Sequence, residues 1–216
     1  MVWRGIFICL LLAAPAQAQT QTALETSVRP SARPAVLPVQ LKGAELCGVP
    51  DIRGRRLAPI QGKWAGCQIA APLAVNSVAG VTLSQAATID CTTAKALRAW
   101  VVDGVMPILN GFGGGVSELQ VAAHYVCRTR NNKPDGKLSE HAKGHAIDIS
   151  AIHLKSGDRL SVLSDWDHPR RGKYLKAMHK AACGPFGTVL GPNADVYHKD
   201  HFHFDTARYR AGPYCR

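Results

Sequence analysis

Six cysteines spread along the chain, Cys47, Cys67, Cys91, Cys127, Cys183 and Cys215, restrict what it can fold into more than any other feature. The seventh, Cys9, falls in a leader-like N-terminus. Met1 to Arg4 is a short positive stretch, Gly5 to Ala14 is almost wholly apolar, and Ala16-Gln17-Ala18 is the small-x-small pattern that a signal peptidase cuts after. The apolar run is well short of the roughly 20 residues that span a bilayer, so residues 1–18 are expected to be a cleaved signal peptide rather than an anchor. In an exported chain the six remaining cysteines read as three disulfides, whereas in a cytosolic chain they would raise metal or redox chemistry first. There is no C-x-x-C pair, which argues against a thiolate zinc knuckle or a thioredoxin-type site. The pattern leaves the connectivity open; joining neighbouring segments gives Cys47–Cys67, Cys91–Cys127 and Cys183–Cys215.

A length of 216 residues suits one domain of ordinary size with some chain left over. At 46% hydrophobic and 19% charged, with 20 Gly and 13 Pro, the composition is globular and excludes collagen, coiled coil and wholesale disorder. Lys and Arg outnumber Asp and Glu by 26 to 15, a net charge of +11 that loss of Arg4 with the leader lowers to +10. That charge suits an anionic partner such as nucleic acid, acidic lipid or a cell-wall polymer, without choosing among them. Residues 19–42 carry Pro30, Pro34 and Pro38 among Thr, Ser, Ala and Gln with no sustained hydrophobic period, and are expected to be a flexible tether. The folded domain is then 43–216.

Within it, Thr92 to Asn110 reads as a helix with Thr92 or Thr93 at its N-cap and Leu97, Val101, Val105 and Ile108 on one apolar face, bent or ended by Pro107. Val116 to Cys127 alternates and reads as a strand. The turn residues Asn131-Asn132 and Pro134-Asp135-Gly136 place the next segment at a loop rim. Ala146 to Ile152 is β-rich, Arg170 to Cys183 is helical and stops at Gly184-Pro185, and Phe186 to Leu190 and Tyr197 to Thr206 are the last strand candidates. The fold class expected is α+β: a small, mostly antiparallel sheet bearing a metal site, flanked by helices and stapled by disulfides.

Histidines carry the chemistry. In His201-Phe202-His203-Phe204-Asp205 a two-residue period puts His201, His203 and Asp205 on one face and both phenylalanines into a core. A catalytic zinc needs three N or O ligands and an open position, and His141, Asp148 and one of the last histidines supply them. Asp205 is either a partner that orients a ligand histidine or a charge at a strand end. His198 lies an odd number of residues from His201, so a loop or bulge has to turn it into the site. His145 reads as a rim residue, His124 as a packed strand histidine, Gly144 as a requirement of backbone geometry and Ser139 as a local loop-setting hydrogen bond. Gly113-Gly114-Gly115 lacks the Lys and Ser/Thr of a phosphate loop, and Trp166, Tyr174 and Tyr197 are too scattered for a nucleic-acid stacking platform.

The run Ser139-Glu140-His141-Ala142-Lys143-Gly144-His145-Ala146-Ile147-Asp148 resembles the S-x-H-x-x-G-x-A-x-D signature of the hedgehog/D-Ala-D-Ala metallopeptidase group, with all its fixed positions present. The C-terminal H-x-H of that group is matched at His201 and His203, and its preceding Arg at Arg128 or Arg130. More narrowly, Tyr125 to Asn132, the Ser139 motif, Phe186 to Pro192 and Cys215-Arg216 resemble the bacterial extensin-like C-terminal family, from about Cys47 to the last residue. The chain has no Ser-Pro repeats of the kind found in a plant wall protein.

The resemblance implies a zinc ion (Zn2+) held by His141, Asp148 and His203, with His201 beside it polarising the reacting group, His198 as general base or acid, and Arg128 gripping a substrate carboxylate. Asp195 and Asp200 are rival bases. The carboxypeptidase branch has Glu where this chain has His198, and His198, His201 and His203 instead form the H-x-x-H-x-H of the penicillin-insensitive murein endopeptidases. The expectation is a periplasmic or secreted zinc peptidase that cuts peptidoglycan stem peptides or their cross-links, endopeptidase before carboxypeptidase, with peptidoglycan or another anionic wall polymer as partner and neither nucleic acid nor membrane. Two rivals stand beside it: a non-catalytic zinc module on the same scaffold that binds the wall, and a secreted His-metal nuclease.

Overall fold

The computed structural model describes Met1 and residues 44–216; the expected leader and tether, residues 1–18 and 19–42, otherwise lie outside the described residues. The chain opens with strands β1 (Ala44–Leu46), β2 (Val49–Arg56), β3 (Ile60–Gln61), β4 (Gln68–Ile69), β5 (Leu73–Val78) and β6 (Val81–Ile89). Helix α1 (Cys91–Trp100) runs through a π turn, Val101–Val105, into α2 (Met106–Ile108). Strand β7 (Val116–Ala123), a 3-10 turn at Glu140–Lys143, β8 (Ala146–Leu154) and β9 (Arg159–Ser161) follow. Helices α3 (Val162–Asp165) and α4 (Gly172–Ala181) then lead to β10 (Thr188–Leu190), β11 (Phe202–Asp205) and β12 (Tyr214–Cys215).

The main sheet has ten strands in the order β1-β2-β5-β6-β7-β8-β11-β10-β12, with β9 also paired to β8, while β3 and β4 form a separate hairpin. It is mostly antiparallel; only β6/β7 and β10/β12 are parallel. The mixed architecture agrees with the α+β expectation, but the sheet is large rather than small. The difference lies in residues 44–89, which supply strands that the histidine-rich C-terminal half gives no hint of. Two-residue turns hold that region together: Cys47-Gly48 and Ala79-Gly80 all have positive φ, the backbone that matches the twist of a tight hairpin.

The N-cap of helix α1 lies two or three residues earlier than expected. The N-cap is Asp90, whose Oδ1 accepts from the Thr93 N–H at 2.7 Å, and not Thr92 or Thr93, because a carboxylate at the cap satisfies an orphan N–H and meets the positive helix end. The helix widens into its π turn just before Pro107, which lacks an N–H and would crowd the carbonyl four residues back; the Met106 N–H bonds Val101 O instead. Gly104 lets α4 come close here, since a Cβ at that position would lie 2.8 Å from the Ala181 Cβ. The buried Trp100 donates its indole N–H to Met178 O at 2.8 Å and packs edge-on against Phe204 at 4.9 Å. Phe202 and Phe204 are fully buried beneath these helices, so the histidines between and beside them are carried on the sheet's other face.

Among the described residues no helix is long and apolar enough to cross a membrane. Among the described residues there are three disulfides. Cys183–Cys215 agrees with the expectation; the other two are Cys47–Cys91 and Cys67–Cys127, not Cys47–Cys67 and Cys91–Cys127. Neighbourhood in sequence fails because the β1/β2 turn folds over the start of α1, bringing Cys47 and Cys91 to a Cα–Cα distance of 5.6 Å, while the β3/β4 hairpin lies against the segment after β7 with Cys67 and Cys127 5.3 Å apart.

Candidate metal centre and cleft

The register of β8 against β11 sets Asp148 opposite His203, so both side chains leave the same face of the sheet. His141 comes from the adjoining 3-10 turn, whose N-cap Ser139 accepts from the His141 N–H and whose C-cap, Gly144, is left-handed at φ +71°. His141 Nε2 lies 3.1 Å from Asp148 Oδ2 and 3.1 Å from His203 Nδ1, and His203 Nδ1 lies 2.9 Å from Asp148 Oδ1. The three donor groups lie within 4.8 Å of one another.

The far side of each imidazole is tied down. His141 Nδ1 lies 2.8 Å from His124 O; a carbonyl can only accept, so Nδ1 carries the hydrogen and Nε2 turns its lone pair towards Asp148. His203 Nε2 lies 3.2 Å from Asp205 Oδ2, which assigns Asp205 as the orienting partner. Burial opposes charge on His203, but the carboxylates of Asp148 and Asp205 outweigh it and push the imidazole up to about 9. Burial raises Asp148, but the histidines packed against it, His141 and His203, outweigh that and leave it well below the usual carboxylate range. Two imidazole nitrogens with one carboxylate are a donor set that could hold a divalent cation such as zinc, which would take the place of the proton shared by His203 and Asp148.

The other expected site residues surround this centre. His201 precedes β11, with Nδ1 2.8 Å from Asp200 and Nε2 3.7 Å from Asp148 Oδ2. His198 is buried in an irregular loop, with Nδ1 2.7 Å from Asp195 Oδ1 and its ring 5.7 Å from that of His203. Residues 197–201 are therefore not strand: β11 begins at Phe202, and the preceding turns bring His198 round, as its odd spacing requires. Desolvation lowers His198 against the opposing pull of Asp195, which favours the neutral imidazole. Asp195 and Asp200, the rival bases, are each hydrogen-bonded to a histidine. Arg128 lies beyond the strand expected to carry it, since β7 ends at Ala123. His124 follows that same end, half-buried, and contributes its backbone carbonyl.

Sequence reasoning missed the role of Glu140. This buried carboxylate accepts from Lys143 Nζ at 3.0 Å and Tyr209 Oη, pairs with His145 Nδ1 at 3.0 Å, and has Arg130 3.7 Å away. Burial raises it, but His145, Tyr209 and Lys143 outweigh that and bring it down to about 2. Its place in the motif beside His141, with Lys143 and His145 three and five residues on, is the signal the sequence carries; Tyr209, 69 residues away, leaves none.

Two clefts meet at the centre. One is lined by Arg130, Tyr209, Arg210 and Tyr214, the other by Asn132, Tyr197 and His201, and both include Arg128, Asn131, His198 and His203. Comparison with family models gives a match to the extensin-like protein C-terminus over residues 51–216. The chain belongs to this family. No curated protein and no solved structure gives a significant match. Within this extensin-like domain the matched stretch takes in the His–Asp–His centre and both clefts, and starts after β1.

Proposed function

We propose that the protein is an exported zinc peptidase acting on peptidoglycan stem peptides or their cross-links. The observation that carries this reading is the convergence of His141 Nε2, Asp148 and His203 Nδ1 beside two further histidines that are not part of the ligand set. His141, Asp148 and His203 would hold the ion, which when bound lowers the pKa of water towards neutrality and polarises a carbonyl.

The chain's own groups do the rest. His198 gives its Nδ1 hydrogen to Asp195 and keeps Nε2 to take and return a proton, the work of a general base and acid. His201, steadied by Asp200, borders the reacting group. Arg128 offers a planar fork to a substrate carboxylate at the point where the two clefts join. Clefts on both sides of the centre suit a bond inside a cross-linked chain better than one at a chain end, which favours endopeptidase over carboxypeptidase. The leader-like N-terminus and the disulfides support a periplasmic or secreted location, and the net charge of +10 that remains without the leader supports residence on an anionic wall.

The test is mass spectrometry of purified cross-linked peptidoglycan fragments incubated with the zinc-loaded protein, with His203→Ala as control. New products absent from the control are expected, and their masses identify the bond. Stoichiometric zinc without products would replace the peptidase reading with that of a wall-binding module.

A further inference from the structure

The two clefts differ in charge. Arg130 and Arg210 both line one and neither lines the other, where Asn132, Tyr197 and His201 carry an amide, a hydroxyl and an imidazole already partnered by Asp200. Arg130 is anchored: its Nη2 donates to Tyr209 Oη at 2.7 Å, and Glu140 holds that same hydroxyl. Arg210 stacks over the Tyr214 ring at 4.5 Å. Among the described residues neither Arg128 nor Arg210 has a carboxylate within ion-pair distance. The acids that line the same cleft, Glu140, Asp195 and Asp205, are each engaged by a tyrosine, lysine or histidine of the protein.

A guanidinium at the wall of a cleft recognises carboxylate or phosphate. Arg210 has no acidic partner among the described residues, and Arg130 has one, Glu140 at 3.7 Å, that Lys143, His145 and Tyr209 already engage, so the two arginines, each fixed against a tyrosine, form a preorganised anion subsite. We infer that the Arg130–Arg210 arm is a specificity subsite that takes the carboxylate-bearing segment of the substrate, while the opposite arm takes an uncharged segment. This inference rests on the reading of the clefts as a peptide groove. It assigns Arg130 and Arg210 as binding residues separate from Arg128 at the junction, and Tyr209 and Glu140 as the residues that position Arg130.

The experiment compares two probes, a cross-linked stem-peptide fragment with its carboxylates free and the same fragment with them converted to amides. Binding of each is measured by calorimetry on the full chain treated with a chelator, and cleavage separately by mass spectrometry on the zinc-loaded chain. The free-carboxylate probe is expected to bind about tenfold or more tightly than the amide, the worth of one charged hydrogen bond. In an Arg130→Gln/Arg210→Gln double variant that ratio falls to near one while affinity for the amide is unchanged. Lys180→Gln, outside both clefts, keeps the wild-type ratio, and circular dichroism checks that all variants are folded. Equal affinity of the wild type for the two probes, binding of neither, or a ratio that survives the double substitution would overturn the subsite. Cleavage of neither probe with the binding ratio intact overturns the peptidase reading alone, and equal binding and cleavage of both overturns the subsite alone.

Discussion

His203 and Asp148 face each other across adjacent antiparallel strands, β11 and β8, with His203 Nδ1 2.9 Å from Asp148 Oδ1. Slipping this pairing by one residue would bury the imidazole among the helices and bring Phe202 or Phe204 to the site, so the hydrophobic core enforces the register of the polar centre. The core side is well determined, with Phe204 between Trp100 and Phe186 at ring distances of 4.9 Å each.

Asp205→Ala should weaken zinc binding by about 10- to 100-fold, since it frees the far nitrogen of His203 to rotate. Competition with a chromophoric chelator measures this, and circular dichroism should report an unchanged fold. Unaltered affinity would mean that Asp205 does not orient the ligand.

His198→Ala should lower turnover of cross-linked fragments by on the order of 10²-fold or more while zinc stays bound in full. His203→Ala should lose both. Activity assays beside metal analysis separate the two, and loss of zinc from the His198 variant would place that histidine among the ligands.

Peptide mapping without reduction should recover Cys47–Cys91, Cys67–Cys127 and Cys183–Cys215 as linked pairs. Replacing Cys67 and Cys127 together by Ala should cost roughly 2–5 kcal/mol in denaturant unfolding, because the bond closes a long loop. A loss well below that range would show that the β3/β4 hairpin docks without it.

Gly144→Ala should destabilise by about 1–2 kcal/mol, as its φ of +71° is a left-handed backbone that an L side chain resists. The new Cβ would also meet the Ile69 Cδ1 at 2.4 Å. Because Gly144 closes the turn that presents His141, zinc affinity should fall with stability, and chemical unfolding with and without zinc reads both.

Asp51 pairs with Arg98 at 2.8 Å, tying β2 to α1, and the guanidinium holds its carboxyl below the usual value of about 3.9. A depressed folded pKa adds stability above the unfolded value that is lost as pH falls through the folded one. Asp51→Asn should therefore lower the melting temperature slightly at pH 7, and the gap from wild type should close below about pH 4. A gap that is constant with pH would assign the effect to packing instead.

Local chemistry makes much of this protein legible in its sequence. Alternation in His201-Phe202-His203-Phe204 sorts site from core, Pro107 signals the disturbance of the helical run that takes the form of a π turn just before it, and Gly144 and Ser139 signal a turn with special geometry. The motif brings His141 and Asp148 together because only seven positions separate them, too short a stretch to misplace. Tertiary structure alone decided the disulfide partners, the ten-stranded sheet and the hub at Glu140. Each depends on which distant strands pair and in what register, and that is settled by burial of the whole apolar surface at once rather than by any local stretch. The charge difference between the two arms of the cleft arises in the same way, since Arg130 and Arg210 become neighbours of the centre only when β8, β11 and the C-terminal segment are packed.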